Sequence, residues 1–256
     1  QSGQLPEELY GGRNGHEAQE VAVNRRITAD IARQSRMPIA IASVDAQSCY
    51  DRISHSIASI CCQRWGVGAN LLTTMLTTIQ QMQYHLRTAF GDSVETYGGS
   101  LEEPFQGACQ GNPAAGALWL AVSSALVTAQ HNQGHVATFE GAINKVVTTL
   151  AGLLFVDDVD LISFSQNQGI SPESIVTRLQ EQVNTWQANL WTTGGALQPA
   201  KCSYSIAAFG WKNGKHYYHT ATSFPTPPLT ITGANGQKVQ LARLEVNDPV
   251  TVVGVV

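Results

Sequence analysis

The sequence predicts an α+β chain, an antiparallel sheet backed by helices, and three observations carry that expectation. Two apolar runs meet aspartates: Ile39-Ala40-Ile41-Ala42-Ser43-Val44 before Asp45, and Leu153-Leu154-Phe155-Val156 before Asp157-Asp158. Longer stretches around them carry apolar residues at helical spacing. After Lys201 the pattern turns to short strands, with tight turns expected at Asn213-Gly214 and Asn235-Gly236. At 256 residues, 43% hydrophobic and 13% charged, the chain can bury a sizeable core as one compact domain.

Taken in order, Glu17 to Gln34 reads as an amphipathic helix with Val21, Thr28, Ile31 and Ala32 near one face. The run 39–44 reads as a buried strand that stops at Asp45. Ser54 is placed to cap a helix through Trp65, whose apolar stripe holds Cys61 and Cys62. Asn70 is placed to cap another through Gln83, striped by Leu72, Met75, Leu76 and Ile79. Residues 84–90 and 94–97 alternate like a hairpin. Phe105 to Gly116 is a glycine-rich loop leading into an apolar helix from Ala114 to about Ala129, with Asn112 at its cap and Pro113 in its first turn. Thr149 to Phe164 reads as a buried strand broken by its two acids. Ser171 caps a helix, Pro172 to Trp191, polar enough to lie on the outside. Pro225-Thr226-Pro227-Pro228 is a rigid connector. Trp186 and Trp191 read as packing residues. His216-Tyr217-Tyr218-His219 alternates on a strand and reads first as an ordinary exposed hairpin, second as a nucleic-acid contact.

The aspartates carry the chemistry. Burying one unpaired carboxylate is costly and two side by side more so, unless a cation neutralises them. Asp157-Asp158 alone reads equally as a metal-binding pair of hard oxygen ligands or as a polar hairpin turn. Asp45 alone reads as a strand-end acid. If the two strands are sheet neighbours, however, three carboxylates converge, as in two-metal phosphoryl transfer.

The order of motifs is more specific than any one of them. Asp45-Ala46-Gln47-Ser48-Cys49-Tyr50-Asp51-Arg52-Ile53, then Gln110-Gly111-Asn112-Pro113, then Phe155-Val156-Asp157-Asp158 resembles the palm of a reverse transcriptase, closest to the non-long-terminal-repeat retrotransposon and group II intron type. Gly194-Gly195-Ala196-Leu197-Gln198-Pro199-Ala200-Lys201-Cys202 resembles that family's glycine-to-lysine segment. Tyr10-Gly11-Gly12-Arg13-Asn14-Gly15-His16 is similar to its upstream "G-F-R-x-G-R-S" block, and Val252-Val253-Gly254-Val255 to its "Y-L-G-V" segment. Asn112 stands where the family often has Asp or Ser, and Ala114-Ala115 where it has a Leu-Ser-like pair.

The resemblance implies an RNA-directed DNA polymerase that adds deoxynucleoside triphosphates (dNTPs) to a primer 3′-hydroxyl on an RNA or DNA template. It implies Asp45, Asp157 and Asp158 as ligands of Mg2+ (or Mn2+), with the Ala46 carbonyl assisting. Tyr50 would lie under the incoming sugar and exclude a 2′-hydroxyl. Gln110, Gly111 and Arg13 would touch nucleotide or template, and Lys201 would donate a proton to the leaving pyrophosphate. Residues 1–38 and 66–104 would be partial fingers, 39–65 and 105–210 palm with a ferredoxin-like core, and 211–256 a β-rich palm extension. An earlier fingers block would precede Gln1 and the thumb would follow Val256, both in a parent polyprotein. Two other readings stand beside this one: a decayed or domesticated copy that binds nucleic acid without catalysis, and another two-metal enzyme such as a nuclease.

Net charge is −4, unusual for a protein that grips nucleic acid, but its distribution is uneven. Eight of ten arginines precede Ala89, all five lysines lie from Lys145 onward, and residues 91–175 hold nine acids against Lys145 alone. Phosphate affinity depends on local cations rather than the total. No apolar stretch approaches a bilayer span, so no membrane is expected. Five cysteines without metal-ligand spacing suit a reducing intracellular compartment.

Overall fold

The computed structural model describes residues 5–100, 102–166 and 171–248. Its centre is a five-stranded sheet. Helix α1 (Ala18–Ser35) leads into β1 (Ile39–Asp45), the middle strand. Then come the short α2 (Cys49–Arg52), α3 (His55–Arg64), α4 (Ala69–Gln80) and a hairpin of β2 (Gln83–Thr88) and β3 (Gly91–Gly98). Helix α5 (Ala115–Asn132) precedes a small hairpin, β4 (Ala137–Glu140) with β5 (Val147–Leu150). The central hairpin is β6 (Gly152–Phe155) with β7 (Asp158–Phe164), followed by α6 (Pro172–Thr192). A 3-10 turn (Pro199–Lys201) leads to β8 (Ser203–Ala207), and a hairpin of β9 (Phe209–Lys212) and β10 (Lys215–Tyr218) extends from it. The last elements among the described residues are β11 (Thr230–Thr232), β12 (Lys238–Gln240) and β13 (Ala242–Leu244).

The sheet order is β13-β8-β1-β7-β6. Four strands are antiparallel, but β13 runs parallel to β8, so the sheet is mixed rather than antiparallel as expected. The long excursion through β9–β12 returns the chain to the edge in the same direction. At the other edge Leu9 bridges Leu154, with Tyr10 N–H donating to the Leu154 carbonyl and Leu154 N–H to that of Glu8.

Strand alternation divides the core. Ala40, Ala42 and Val44 of β1 face one side with Val159, Leu161, Tyr204 and Ile206, and α5 and α6 cover them. Ile39, Ile41, Ile162 and Phe164 face the other side, where Val21 and Ala32 of α1 close over them. Helix α6 is thus not an outside helix: Ile175, Leu179, Val183, Trp186 and Leu190 are fully or nearly fully buried. Its heptad-like stripe outweighs its average polarity. Trp186 packs as expected, while Trp191 points outward and is exposed.

Several local expectations shift. The stretch Thr149 to Phe164 is three strands rather than one: the end of β5 at Leu150, β6 from Gly152 and β7 from Asp158. Helix α4 is capped at Gly68, not Asn70, and ends at Gln80, so Gln83 opens β2. Ser54 is the N-cap of α3 without a side-chain bond, whereas Ser171 Oγ accepts the Ser174 N–H. Asn112 Oδ1 accepts the Ala114 N–H, just before α5 begins. Asn213-Gly214 is the expected two-residue turn, both residues at positive φ. At 235–236 only Gly236 has positive φ, and the Gly233 N–H bonds the Gln237 carbonyl, giving a three-residue loop instead. The segment Val252-Val253-Gly254-Val255 lies outside the described residues.

Candidate active site

Strands β1 and β7 are neighbours, and Asp45 stands directly opposite Asp158. Opposed residues of an antiparallel pair present their side chains on the same face. Phe155 pairs with Asp158, so Val156-Asp157 forms the two-residue turn. Val156 has φ 56, a rare conformation for a β-branched residue, costing about 1–3 kcal/mol. Two contacts hold it there. The Trp119 indole N–H donates to the Val156 carbonyl at 2.6 Å. Behind the turn, a Cβ on Gly11 would stand 2.3 Å from the Val156 nitrogen, so only glycine permits that approach.

Other motifs fasten onto this tip. Residues 45–47 are zipped to 196–198: Gln198 N–H donates to the Asp45 carbonyl at 3.0 Å and Gln47 N–H to that of Ala196 at 2.8 Å. The 3-10 turn then sets Lys201 Nζ 3.2 Å from Asp45 Oδ2. On the opposite flank the glycine-rich loop is laced to α2. Ala108 N–H donates to the Tyr50 carbonyl, Gly107 N–H to that of Ile53, and Gln110 N–H to Asp51 Oδ1. A Cβ on Gly107 would meet the Asp51 carbonyl oxygen at 2.4 Å.

The outcome is an open cavity of about 600 Å³ whose walls include Asp45, Ala46, Tyr50, Asp51, Gln110, Asp157, Asp158 and Lys201. Of the residues singled out by sequence, two stand apart. Gly111 follows Gln110 on the exposed loop at φ 93, outside that lining. Arg13 lines a separate apolar cavity with Trp65, Leu72 and Leu118, and its Nη1 donates to the carbonyls of Pro6 and Leu9. It braces the N-terminal segment.

Sequence reading missed Asp160. It lies on the Asp158 face, opposite Ser43, and is buried. Both its oxygens accept from Arg25 Nη1, at 3.0 and 2.8 Å, and Ser43 Oγ–H donates to Oδ1 at 2.6 Å. The available signal was a third acid two residues after Asp158 in an otherwise apolar strand.

The cavity is short of positive charge. Burial lifts the Asp157 carboxyl above its ordinary range, and the Asp45 charge adds to this against its own backbone N–H and Lys201. Burial also lifts Asp158, with the charges of Asp157, Asp45 and Asp160 behind it. The hydrogen bond to Asp45 raises Lys201. Burial, reinforced by Asp157, pushes the Cys49 thiol up to about 12, leaving it protonated. Asp45, Asp157 and Asp158, with Asp51 held by the Gln110 N–H on the other wall, face one ammonium; they are hard oxygen donors with charge to spare, which fits a divalent cation in kind. Among the described residues no three His, Cys, Asp or Glu side chains form a ready-made metal cluster. No described helix is long and apolar enough to cross a membrane.

A scan against protein-family models gives no match, and neither does a search of curated proteins. Among solved structures the chain is similar to apo telomerase from Candida tropicalis truncated from its C-terminal domain, with a TM-score of 0.49 and 12% identity over 91% of this chain. It is similar to Candida tropicalis telomerase in complex with a TWJ fragment of telomeric RNA, with a TM-score of 0.49 and 12% identity over 78% of this chain. It is also similar to Candida albicans telomerase in complex with such a fragment, with a TM-score of 0.41 and 15% identity over 88% of this chain. The chain spans 39%, 30% and 32% of those three chains, respectively.

Proposed function

We propose that this chain is the palm and part of the fingers of a retroelement-type reverse transcriptase, transferring nucleotides from dNTPs to a primer 3′-hydroxyl on an RNA template. The observation that carries the reading is the convergence of Asp45, Asp157, Asp158, Tyr50, Gln110 and Lys201 on one cavity from four separate sequence motifs. A nuclease reading explains the acids but gives Tyr50 and the Gln110 loop no task.

Asp45, Asp157 and Asp158, with the Ala46 carbonyl, would hold Mg2+ or Mn2+. Bound there, such ions supply activation of a hydroxyl and charge stabilisation at phosphorus. Tyr50 rests its ring against the core beside the acids, where it can close the floor under a deoxyribose. Lys201, now the counter-ion of Asp45, is mostly exposed and can swing to an anionic leaving group. It carries a proton to give. The glycine-rich loop keeps Gln110 at the rim, its backbone N–H held by Asp51.

The test is extension of a DNA primer on an RNA template with Mg2+ and with Mn2+, using this chain and any longer form that its open reading frame encodes. We expect the longer form to extend and Asp45→Asn to lose about 100–1,000-fold in rate, the scale of a lost electrostatic stabiliser. In the active form, Tyr50→Ala should admit ribonucleotides. A longer form that binds duplex and metal yet never extends would sink the polymerase reading in favour of a non-catalytic copy.

A further inference from the structure

The β9–β10 hairpin lies at the opposite end of the sheet from the acids. Ala207, which leads into it, pairs with Ile39, whereas Ser203 pairs with Ser43 near the tip. Six residues of strand separate Ile39 from Asp45, roughly 20 Å at 3.3 Å per residue. The cavity chemistry makes no use of this hairpin.

Its composition is unusual. From Cys202 to Leu244 the sequence contains no Asp or Glu, but it contains Lys212, Lys215, Lys238 and Arg243. The chain as a whole carries −4, so the remaining residues carry −8 (−4 minus +4). This acid-free stretch thus carries the opposite sign from the remaining residues taken together.

Its surface is equally unusual. Trp211 pairs with His216 across the strands, and Phe209 with Tyr218. These four rings share one face as a ladder: Phe209 to Tyr218 at 5.2 Å, Trp211 to His216 at 5.8 Å, His216 to Tyr218 at 5.5 Å. The Arg36 guanidinium lies 4.4 Å from the Trp211 ring centroid. Phe209 packs partly against the core under α1, but the outer rings stay open: Trp211 and Tyr218 are each 37% exposed, and Tyr217 on the reverse face is 48% exposed. Beside the turn Lys212 stands directly opposite Lys215, on the reverse face with Tyr217. Like charges in that position destabilise a hairpin, and neither lysine has an ion-pair partner among the described residues.

We propose that this hairpin binds single-stranded nucleic acid, with bases stacked on the Trp211–Tyr218 ladder and phosphates on Arg36 beside it and, round the turn on the reverse face, on Lys212 and Lys215. Aromatic rings supply a sequence-tolerant platform for bases, and clustered cations track the backbone. Arg36 can serve both, since a guanidinium that stacks on an indole keeps its edge N–H groups for phosphate. A polyanion also relieves the Lys212–Lys215 repulsion, which the fold alone leaves uncompensated. The site stands whether or not the acid cavity polymerises.

The test is fluorescence anisotropy of labelled ten-nucleotide oligo-dT and oligo-U with the full chain. Divalent ions are left out so that the acid cavity is not engaged through metal. Trp211→Ala with Tyr218→Ala should weaken binding of either strand at least about tenfold, the size of one lost base stack. Trp211→Phe, which keeps an aromatic ring, should retain most of the affinity. Lys212→Gln with Lys215→Gln should flatten the log–log salt dependence by roughly 1.4, two phosphate contacts at about 0.7 each. Thermal melts verify that each variant folds. Unchanged affinity in both double variants would overturn the proposal. So would loss of self-association in the aromatic variant with oligonucleotide binding intact, since the ladder would then be a protein interface.

Discussion

The two ends of strand β1 make the most instructive comparison in this molecule. On the same face, Ile39 and Ile41 are sealed under α1 with Ile162 and Phe164. Two residues further on Ser43 is half-buried, and after two more Asp45 opens into the cavity. The antiparallel partner changes in step, from Phe164 and Ile162 through Asp160 to Asp158. One face of one strand pair therefore passes from core to chemical site without a break in register. The apolar end fixes the strands, and the acidic end spends that rigidity on holding like charges together. Asp160 marks the border: it is an acid, but Arg25 and Ser43 neutralise it as a core residue.

The largest effect is expected at the apolar end. Phe164 is fully buried and stacked on Phe139, with ring centroids 4.9 Å apart. Phe164→Ala should cost about 3–5 kcal/mol, transfer plus cavity. Urea denaturation checks it, and a loss below about 1 kcal/mol would mean that α1 does not seal this face as described.

At the border, Arg25→Met should cost about 3 kcal/mol, because it leaves Asp160 buried without its counter-ion. Adding Asp160→Asn should recover a large part of that loss. A double-mutant cycle measures the coupling. Additive losses would show that Arg25 contributes only its packing, and the border would then be a continuation of the core.

This comparison also separates what sequence exposes from what it hides. The strand ending at Asp45, the acids at the β6–β7 turn and the capped α6 were legible because each is a local pattern in consecutive residues. So was Lys201, as part of a motif, though its 3.2 Å bond to Asp45 joins positions far apart in the chain. Arg25 was not legible: it sits in a helix rich in arginine, and its partner lies 135 residues on. The edge pairing of residues 8–10 with β6 was hidden for the same reason, as was the parallel return of β13. Arg13 stands apart from the cavity, its Nη1 donating to two backbone carbonyls of the N-terminal turn, a pairing no local pattern announces. Local periodicity reports which face a residue prefers, but it does not report which distant segment arrives to meet it.

The smallest effect is expected at the acidic end, and there the sign should reverse. Asp157 and Asp158 both have carboxyls raised by burial and neighbouring acids. In the folded chain they hold protons that the unfolded chain has already released. Stability is therefore greatest below the ordinary carboxylate value of about 3.8 and falls as pH rises through the raised one. Asp157→Asn with Asp158→Asn removes this penalty and should stabilise the metal-free chain near neutral pH. The gain should be about 0.5 kcal/mol, kept small by solvent screening at a cavity open to water. Because other groups titrate too, the informative quantity is the parent-minus-variant difference in urea midpoint from about pH 4 to about pH 7. That difference should be near zero at the acid end and grow toward neutrality. Millimolar Mg2+ should stabilise the parent by mass action and leave the variant unmoved. A variant less stable than the parent at neutral pH without metal would mean that the acids act as ordinary turn residues, held by hydrogen bonds rather than strained by charge.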